Sequence, residues 1–238
     1  MRFDVLNLIL GWTLLAITIP LFVCGVITIW LDDLEMAVRA FLAPLILSPV
    51  LGILMLSFGT RTDTAERLRD REAFAAVALV YPLVVLIGTL PYWLGGVFVG
   101  PFTADAGLVD IARGWVNSWF ESMSGFTTTG STVIDHSTSP RCLEGTDCIS
   151  SQPQSLILWR SLTQWLGGMG VIMLGLLILS QALGGGMSLA RAELTGPSLS
   201  RLGPSLQSTA RRLWAIYIVL TIIEIVLLRF IGEMSVFD

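Results

Sequence analysis

Five apolar runs fix the class of fold open to this chain. They cover roughly Leu6–Leu31, Ala37–Phe58, Ala73–Val99, Leu156–Leu183 and Leu213–Ile231. About 20 helical residues cross the hydrocarbon core of a bilayer, and every run is close to that length or beyond it. With 54% hydrophobic and only 13% charged residues among 238, the chain has too few charges to clothe a soluble domain of its size. It reads as an all-α integral membrane protein. The first run is too long for the ~7–15-residue apolar core of a signal peptide, and no small-x-small cleavage site follows it, so it counts as a true span. Pro20, Pro44, Pro49, Pro82 and Pro91 fall inside the runs. Membrane helices accept such breakers where the freed backbone groups find other partners.

The charged residues sit mostly between the runs and orient them. All fourteen basic residues are Arg, a bias of composition without a functional reading. The net charge of −4 says little about partners, and no nucleic acid is expected among them. Loop Gly59–Glu72 carries Arg61, Arg67, Arg69 and Arg71, and loop Gly184–Arg212 carries Arg191, Arg201, Arg211 and Arg212. The alternate connections are acidic, with Asp32, Asp33 and Glu35 in one and Asp105, Asp110, Asp135, Glu144 and Asp147 in the other. The positive-inside rule places the Arg-bearing loops and the N-terminus in the cytoplasm, and all five spans alternate without conflict.

The outer segment Gly100–Pro153 holds the stretch "FESMSGFTTTGSTV", residues 120–133. Trp115–Phe126 is apolar and aromatic but only ~18 Å long as a helix at ~1.5 Å per residue, too short to span. A short helix and a polar, glycine-containing strand between two full spans read as a re-entrant pore helix and loop. Non-helical backbone at membrane depth is permitted only where it is buried in protein or lines a watery cavity. Carbonyls of an extended loop there can replace the water shell of a cation. Thr127, Thr128 and Thr129 are β-branched, which favours extended backbone, and Gly130 allows the positive φ that turns a carbonyl toward a central axis. The pore helix would point its partly negative C-terminal end at the ion. No carboxylate lies within Phe126–Ile134, which suits a weakly held monovalent ion. Thr127, Thr128, Thr129, Gly130 and Ser131 are thus the candidate filter; the competing reading is an outer turn without a ligand.

Glu121, inside the pore helix, suits a hydrogen-bonding brace behind the filter better than an ion ligand. Arg160 and Gln164, one turn apart near the outer end of the fourth span, either brace the loop or, for Arg160, snorkel to the interface. Cys142 and Cys148 flank a short acidic loop. In an oxidising compartment they would form a disulfide; otherwise they are free thiols. Cys24 reads as a packing residue, and no CxxC or His/Cys cluster suggests zinc. No tightly bound cofactor is expected. Glu224 and Arg229 in the fifth span lie ~140° apart around a helix, so each needs a partner elsewhere. Gly167, Gly168 and Gly170 thin the fourth span for close packing.

Residues 120–133, with "LILWRSLTQWLGGMGVIMLGLLIL" at 156–179 and "RAELTGP" at 191–197, resemble the membrane subunits of the Trk/Ktr/HKT potassium-transporter superfamily, its Trk branch in particular. The likeness extends over nearly the whole chain. It implies four tandem span–pore–span repeats around one pore, two extra N-terminal spans, a homodimer and a prokaryotic inner membrane. It also implies a cytosolic ring of nucleotide-binding subunits, for which the Arg-bearing loops are the candidate surface. Potassium would be the transported substrate, with Gly130 on the filter glycine of the first repeat and Thr128 and Thr129 on its carbonyl donors. Ser131 and Thr132 stand where potassium channels have a Tyr-Gly pair, which matches the looser filter of this superfamily.

On this reading residues 1–70 form two N-terminal transmembrane helices and 71–185 the first span–pore helix–span repeat. Residues 186–238 form a cytoplasmic linker and the first helix of an incomplete second repeat. One TTTG loop occurs in the chain, and one loop cannot build four-sided carbonyl rings. Conduction is therefore expected only within a larger or split assembly that supplies the missing C-terminal repeats. The alternative is a non-conducting assembly or regulatory fragment. An intramembrane serine hydrolase using Ser122 or Ser124 with His136 is a remote third reading. Ser122 stands where such an enzyme needs glycine, His136 sits in a polar loop, and no catalytic role is expected.

Overall fold

A computed structural model of the chain describes residues 3–59, 70–143, 145–170 and 206–234. It divides into two units, Met1–Gly168 and Met169–Asp238. Among the described residues there are helices and no strands. Within those residues four helices are long and apolar enough to cross a membrane: Phe3–Leu31, Leu34–Phe58, Ala75–Gly95 and Ala210–Phe230. They correspond to four of the five expected spans. The remaining one, Leu156–Leu183, is helical over residues 154–170 (α6), and its second half lies outside the described residues. So do Arg61, Arg67, Arg69, Arg191, Arg201 and Glu144.

Helix α1 (Phe3–Leu31) buries Leu6, Leu10, Leu14, Ile17, Leu21, Cys24 and Thr28, a stripe at three- and four-residue intervals. Its other faces expose Trp12, Ile19, Phe22 and Val26, the pattern of a helix that borders lipid. The chain reverses at Asp32 and Asp33, and Asp33 Oδ1 accepts the Met36 N–H at 2.6 Å. Helix α2 (Leu34–Ala37), a π-helical turn (Val38–Leu42) and α3 (Ala43–Phe58) follow as one span. A Cβ on Gly52 would lie 3.1 Å from the Gly11 carbonyl oxygen. The two backbones thus meet closely, the way small residues bring membrane helices together.

Helix α4 (Asp70–Gly95) ends earlier than its apolar run. Gly96 takes φ +77° and the Val97 N–H reaches back to the Tyr92 carbonyl at 3.1 Å, a Schellman stop. Val97 and Phe98 are buried in the turn beyond it. Two arginines finish the cap: Arg39 Nε donates to the Leu94 carbonyl at 3.0 Å, and Arg141 Nε donates to that of Gly96 at 3.1 Å. Burial, then repulsion from Arg39, lowers the pKa of Arg141.

Helix α5 (Leu108–Phe126) has 19 residues and so begins well before the apolar segment that marks it in the sequence. Its extra turns, residues 108–114, interrupt their apolar residues with the exposed Asp110–Arg113 pair at 3.8 Å, so they do not join the apolar segment. A Cβ on Gly114 would fall 1.8 Å from the Val99 carbonyl oxygen, so this glycine seats α5 against the turn after α4. The Trp93 and Trp115 rings meet edge to face with centroids 4.9 Å apart. In the second unit, α7 (Leu206–Phe230) carries Glu224 and Arg229. No ion pair among the described residues joins these two, and Arg229 Nη1 donates to the Met234 carbonyl at 3.3 Å.

Candidate functional site

The loop after α5 is built by the way the helix stops. Thr127 is the C-cap, with φ −93° and ψ 3°, and Thr128 takes φ +57°. The Thr128 N–H bonds to the Gly125 carbonyl and the Thr129 N–H to that of Ser124, both at 2.9 Å. This is the Schellman pattern with threonine in the left-handed position that glycine usually fills. Gly130 follows with φ +76°, and its N–H also points to the Ser124 carbonyl at 3.4 Å. Thr127 and Thr128 are therefore not extended, contrary to the expectation from their β-branching. Capping the last carbonyls of α5 outweighs a β propensity that is weak away from a sheet.

The cap fixes where the loop carbonyls face. A trans peptide holds its N–H and C=O antiparallel, and the described residues contain no cis bond. The amides of Thr129 and Gly130 both converge on Ser124 O, so the Thr128 and Thr129 carbonyls in the same peptide planes face away from the helix end. Among the described residues no donor reaches either oxygen. The neighbouring carbonyls are engaged: that of Thr127 by the Thr128 hydroxyl at 2.7 Å, that of Gly130 by Arg160 Nη2 at 3.2 Å, and that of Ser131 by the Ser124 hydroxyl at 2.6 Å.

Behind the loop lies a buried charge pair. The Glu121 carboxylate is fully buried and the Arg160 side chain 16% exposed, with Nε 3.3 Å from Oε2. Glu121 Oε1 accepts the Thr132 hydroxyl at 2.6 Å and the Val133 N–H at 2.7 Å. Arg160 therefore points into the protein and does not snorkel. Gln164 sits beside the loop: a Cβ on Gly130 would come 3.8 Å from its Nε2. Its side chain bonds to none of the described residues.

Helix α6 packs directly on the end of α5. A Cβ on Gly167 would lie 2.4 Å from the Phe126 carbonyl oxygen, and one on Gly125 would lie 2.3 Å from Thr163 Oγ1, so neither site has room for a side chain. Trp159 stands beside Arg160 in sequence, is fully buried and donates Nε1–H to the Gly88 carbonyl at 3.1 Å. Its ring meets Phe126 at 6.4 Å and Phe41 at 6.2 Å, both edge to face. Sequence reading missed the bracing contacts of Thr132 and Ser124, and did not single out Trp159 and Phe41. The first two stand inside the quoted motif, where a bracing carboxylate at Glu121 already calls for donors; the aromatic pair leaves no local trace.

The outer loop returns to α6 through a tight turn. Asp135 accepts hydrogen bonds from Ser137, which hold its carboxyl below the usual aspartate pKa. Cys142 and Cys148 come together as a disulfide, their Cα atoms 4.9 Å apart, and Cys24 is a free, buried thiol. The hydrolase constellation does not assemble. The Ser122 hydroxyl donates to the Val85 carbonyl at 2.8 Å, that of Ser124 to Ser131, and His136 faces Asp135 at 3.9 Å on the exposed loop.

Comparison with known proteins agrees with this architecture. The family model TrkH, described as a cation transport protein, matches residues 110–235, more than half of the chain. The chain is 32% identical over its full length to the Trk system potassium uptake protein TrkH of Escherichia coli K12, of which it covers 43%. It is 35% identical over 185 residues to the protein of the same name from Halomonas elongata, matching 77% of this chain and 33% of that one. The crystal structure of the potassium transporter TrkH from Vibrio parahaemolyticus aligns with a TM-score of 0.68 at 24% identity, over 100% of this chain and 41% of the other, which shows a shared fold. The chain spans less than half the length of these relatives. Through residues 110–235, from the first turn of α5 onward, it belongs to the TrkH family of cation transport proteins.

Proposed function

We propose that this chain contributes one loop of a potassium-selective filter to the membrane subunit of a Trk-type uptake system. The observation that carries this reading is the pair of carbonyls at Thr128 and Thr129 that no donor among the described residues reaches. Both are turned away from the helix end by amides that converge on Ser124. Oxygens so placed can replace the water of a dehydrated monovalent cation, and the C-terminal end of α5 adds partial negative charge behind them. Thr127, Gly130 and Ser131 shape the loop, since their own carbonyls are engaged. Glu121 and Arg160 fix it from behind, and Gln164 flanks it. The related proteins of Escherichia coli and Halomonas elongata are named for potassium uptake, which supports potassium as the ion.

A ring of carbonyls around an ion takes more than one such loop, so the conducting assembly includes further repeats. We place the N-terminus and the Arg-bearing loops in the cytoplasm of a prokaryotic cell and the filter loop toward the outside of its inner membrane. The full assembly is a homodimer that docks a cytosolic nucleotide-binding subunit on those Arg-bearing loops. Potassium uptake is tested in a strain deficient in it, with the chain alone and with the C-terminal remainder of a relative supplied. Growth at limiting potassium is expected only in the second case. There, Gly130→Ser adds a Cβ to a left-handed residue at a cost of ~1–2 kcal/mol and lowers rubidium-over-sodium flux roughly tenfold. An unchanged flux ratio would remove Gly130 from the filter and overturn the filter reading of this loop.

A further inference from the structure

We propose that Asp32 and Phe41, which precede the pore-bearing repeat, are positioning residues for the filter; this rests on reading Thr127–Ser131 as one. Helix α6 begins after Pro153, whose carbonyl accepts the Leu156 N–H at 3.0 Å and whose side chain has no acceptor to offer the first turn. The orphan N–H groups of a helix start need partners. Here they come from the far end of α1: Asp32 Oδ1 accepts the Gln154 N–H at 3.2 Å and Oδ2 accepts the Ser155 N–H at 3.0 Å. One carboxylate thus serves two orphan donors and meets the positive end of the helix dipole.

Arg160 lies five residues beyond Ser155 on the same rigid helix, ~7.5 Å along its axis, and it carries the contacts to Glu121 and Gly130. Phe41 provides a second route. Its fully buried ring stands edge to face on Trp159, which in turn stands on Phe126, the last residue of the pore helix. The segment before the repeat therefore grips α6 twice, at its first turn and beside Arg160. An inert apolar cover facing lipid would need neither a two-donor cap nor a ring aimed at the neighbour of Arg160. Asp32 acts through α6 and Phe41 through Trp159, and both hold the loop in register.

Amide hydrogen exchange on the full chain in lipid nanodiscs tests this. In Asp32→Ala, Gln154 and Ser155 lose protection, and the amides of Thr128, Thr129, Gly130 and Val133 follow by roughly fivefold, the scale of one lost helix cap. Asp32→Asn, which keeps one acceptor oxygen and sets an NH2 against the other N–H, gives a loss of protection intermediate between wild type and Asp32→Ala. Phe41→Leu loosens the same loop amides without exposing Gln154 and Ser155, and amides in the middle of α1 do not change in any variant. Loop amides that keep wild-type exchange in both Asp32→Ala and Phe41→Leu overturn the proposal, as does unchanged protection of Gln154 and Ser155 in Asp32→Ala. If the Gly130→Ser flux ratio is unchanged, the filter reading falls and takes this proposal with it, although the exchange pattern persists. The two failures are thereby distinguished.

Discussion

Arg160 Nε stands 3.3 Å from Glu121 Oε2 while another nitrogen of the same guanidinium holds the Gly130 carbonyl. One side chain thus ties α5 to the loop it releases. A planar fork with five donors can serve two acceptors at once, which the single ammonium of lysine does less well. The carboxylate is satisfied on its other oxygen by Thr132 and Val133, as a buried charge requires.

Removing one member of this pair strands the other. Glu121→Gln and Arg160→Gln are each expected to cost about 3 kcal/mol, and the double variant less than their sum. Unfolding midpoints of the three proteins in detergent, taken as a double-mutant cycle, check this; strict additivity would show that the two groups act separately. Arg160→Lys is expected to preserve most of the stability and to lose discrimination between rubidium and sodium.

Thr128 is the anomaly of the loop, a β-branched residue at φ +57°. Left-handed backbone costs an ordinary residue ~1–2 kcal/mol, partly offset here because glycine would lose more freedom on folding. Thr128→Gly should therefore raise the unfolding midpoint slightly while loosening the loop. A lowered midpoint would mean that the Thr128 hydroxyl on the Thr127 carbonyl outweighs the backbone strain.

The apolar spans, the helix α5 and a buried, hydrogen-bonded Glu121 are legible in the sequence because each depends on local composition or on a charge in an apolar segment. Thr127–Gly130 is legible as a candidate site but not in its conformation. β-branching argues for extended backbone, whereas the unpaired carbonyls at the end of α5 demand a left-handed cap. Asp32, Arg39 and Arg141 look like ordinary interfacial charges in the sequence. Their partners are backbone groups at remote helix ends, and nothing in local patterning points to such pairing. Trp159 and Phe41 are hidden for a related reason, since an aromatic residue in an apolar run carries no mark of which ring it will meet.

The disulfide closes a short loop with a sequence separation of 6, worth about 2 kcal/mol by loop-closure entropy. Alkylation of the denatured chain should add one label per chain without reductant and three with it, because the chain has three cysteines and Cys24 is free. Three labels in both cases would show two thiols at Cys142 and Cys148.

The Asp135 turn gives a pH signature. Hydrogen bonds from Ser137 hold the Asp135 carboxyl below its ordinary pKa, so its stabilisation is complete above about 3.9, the unfolded value. It is lost as pH falls through the lower, folded value. Exchange of the Ser137 amide should accelerate over that acidic window relative to its neighbours. Asp135→Asn should weaken the turn at neutral pH and remove the dependence; a Ser137 amide indifferent to both changes would show that the carboxylate does not hold it.

The cap of Asp32 on Ser155 joins residues 123 positions apart, and that separation sets a schedule. At ~5–20 residues per second of synthesis, roughly 6–25 s pass between the appearance of the carboxylate and that of its partner. The first hairpin, with α1 against α3, can form in that interval and present Asp32 as a waiting acceptor. Helix α5 and its loop emerge before α6, so this region is assembled in order: anchor first, loop second, and last the helix whose arginine locks it.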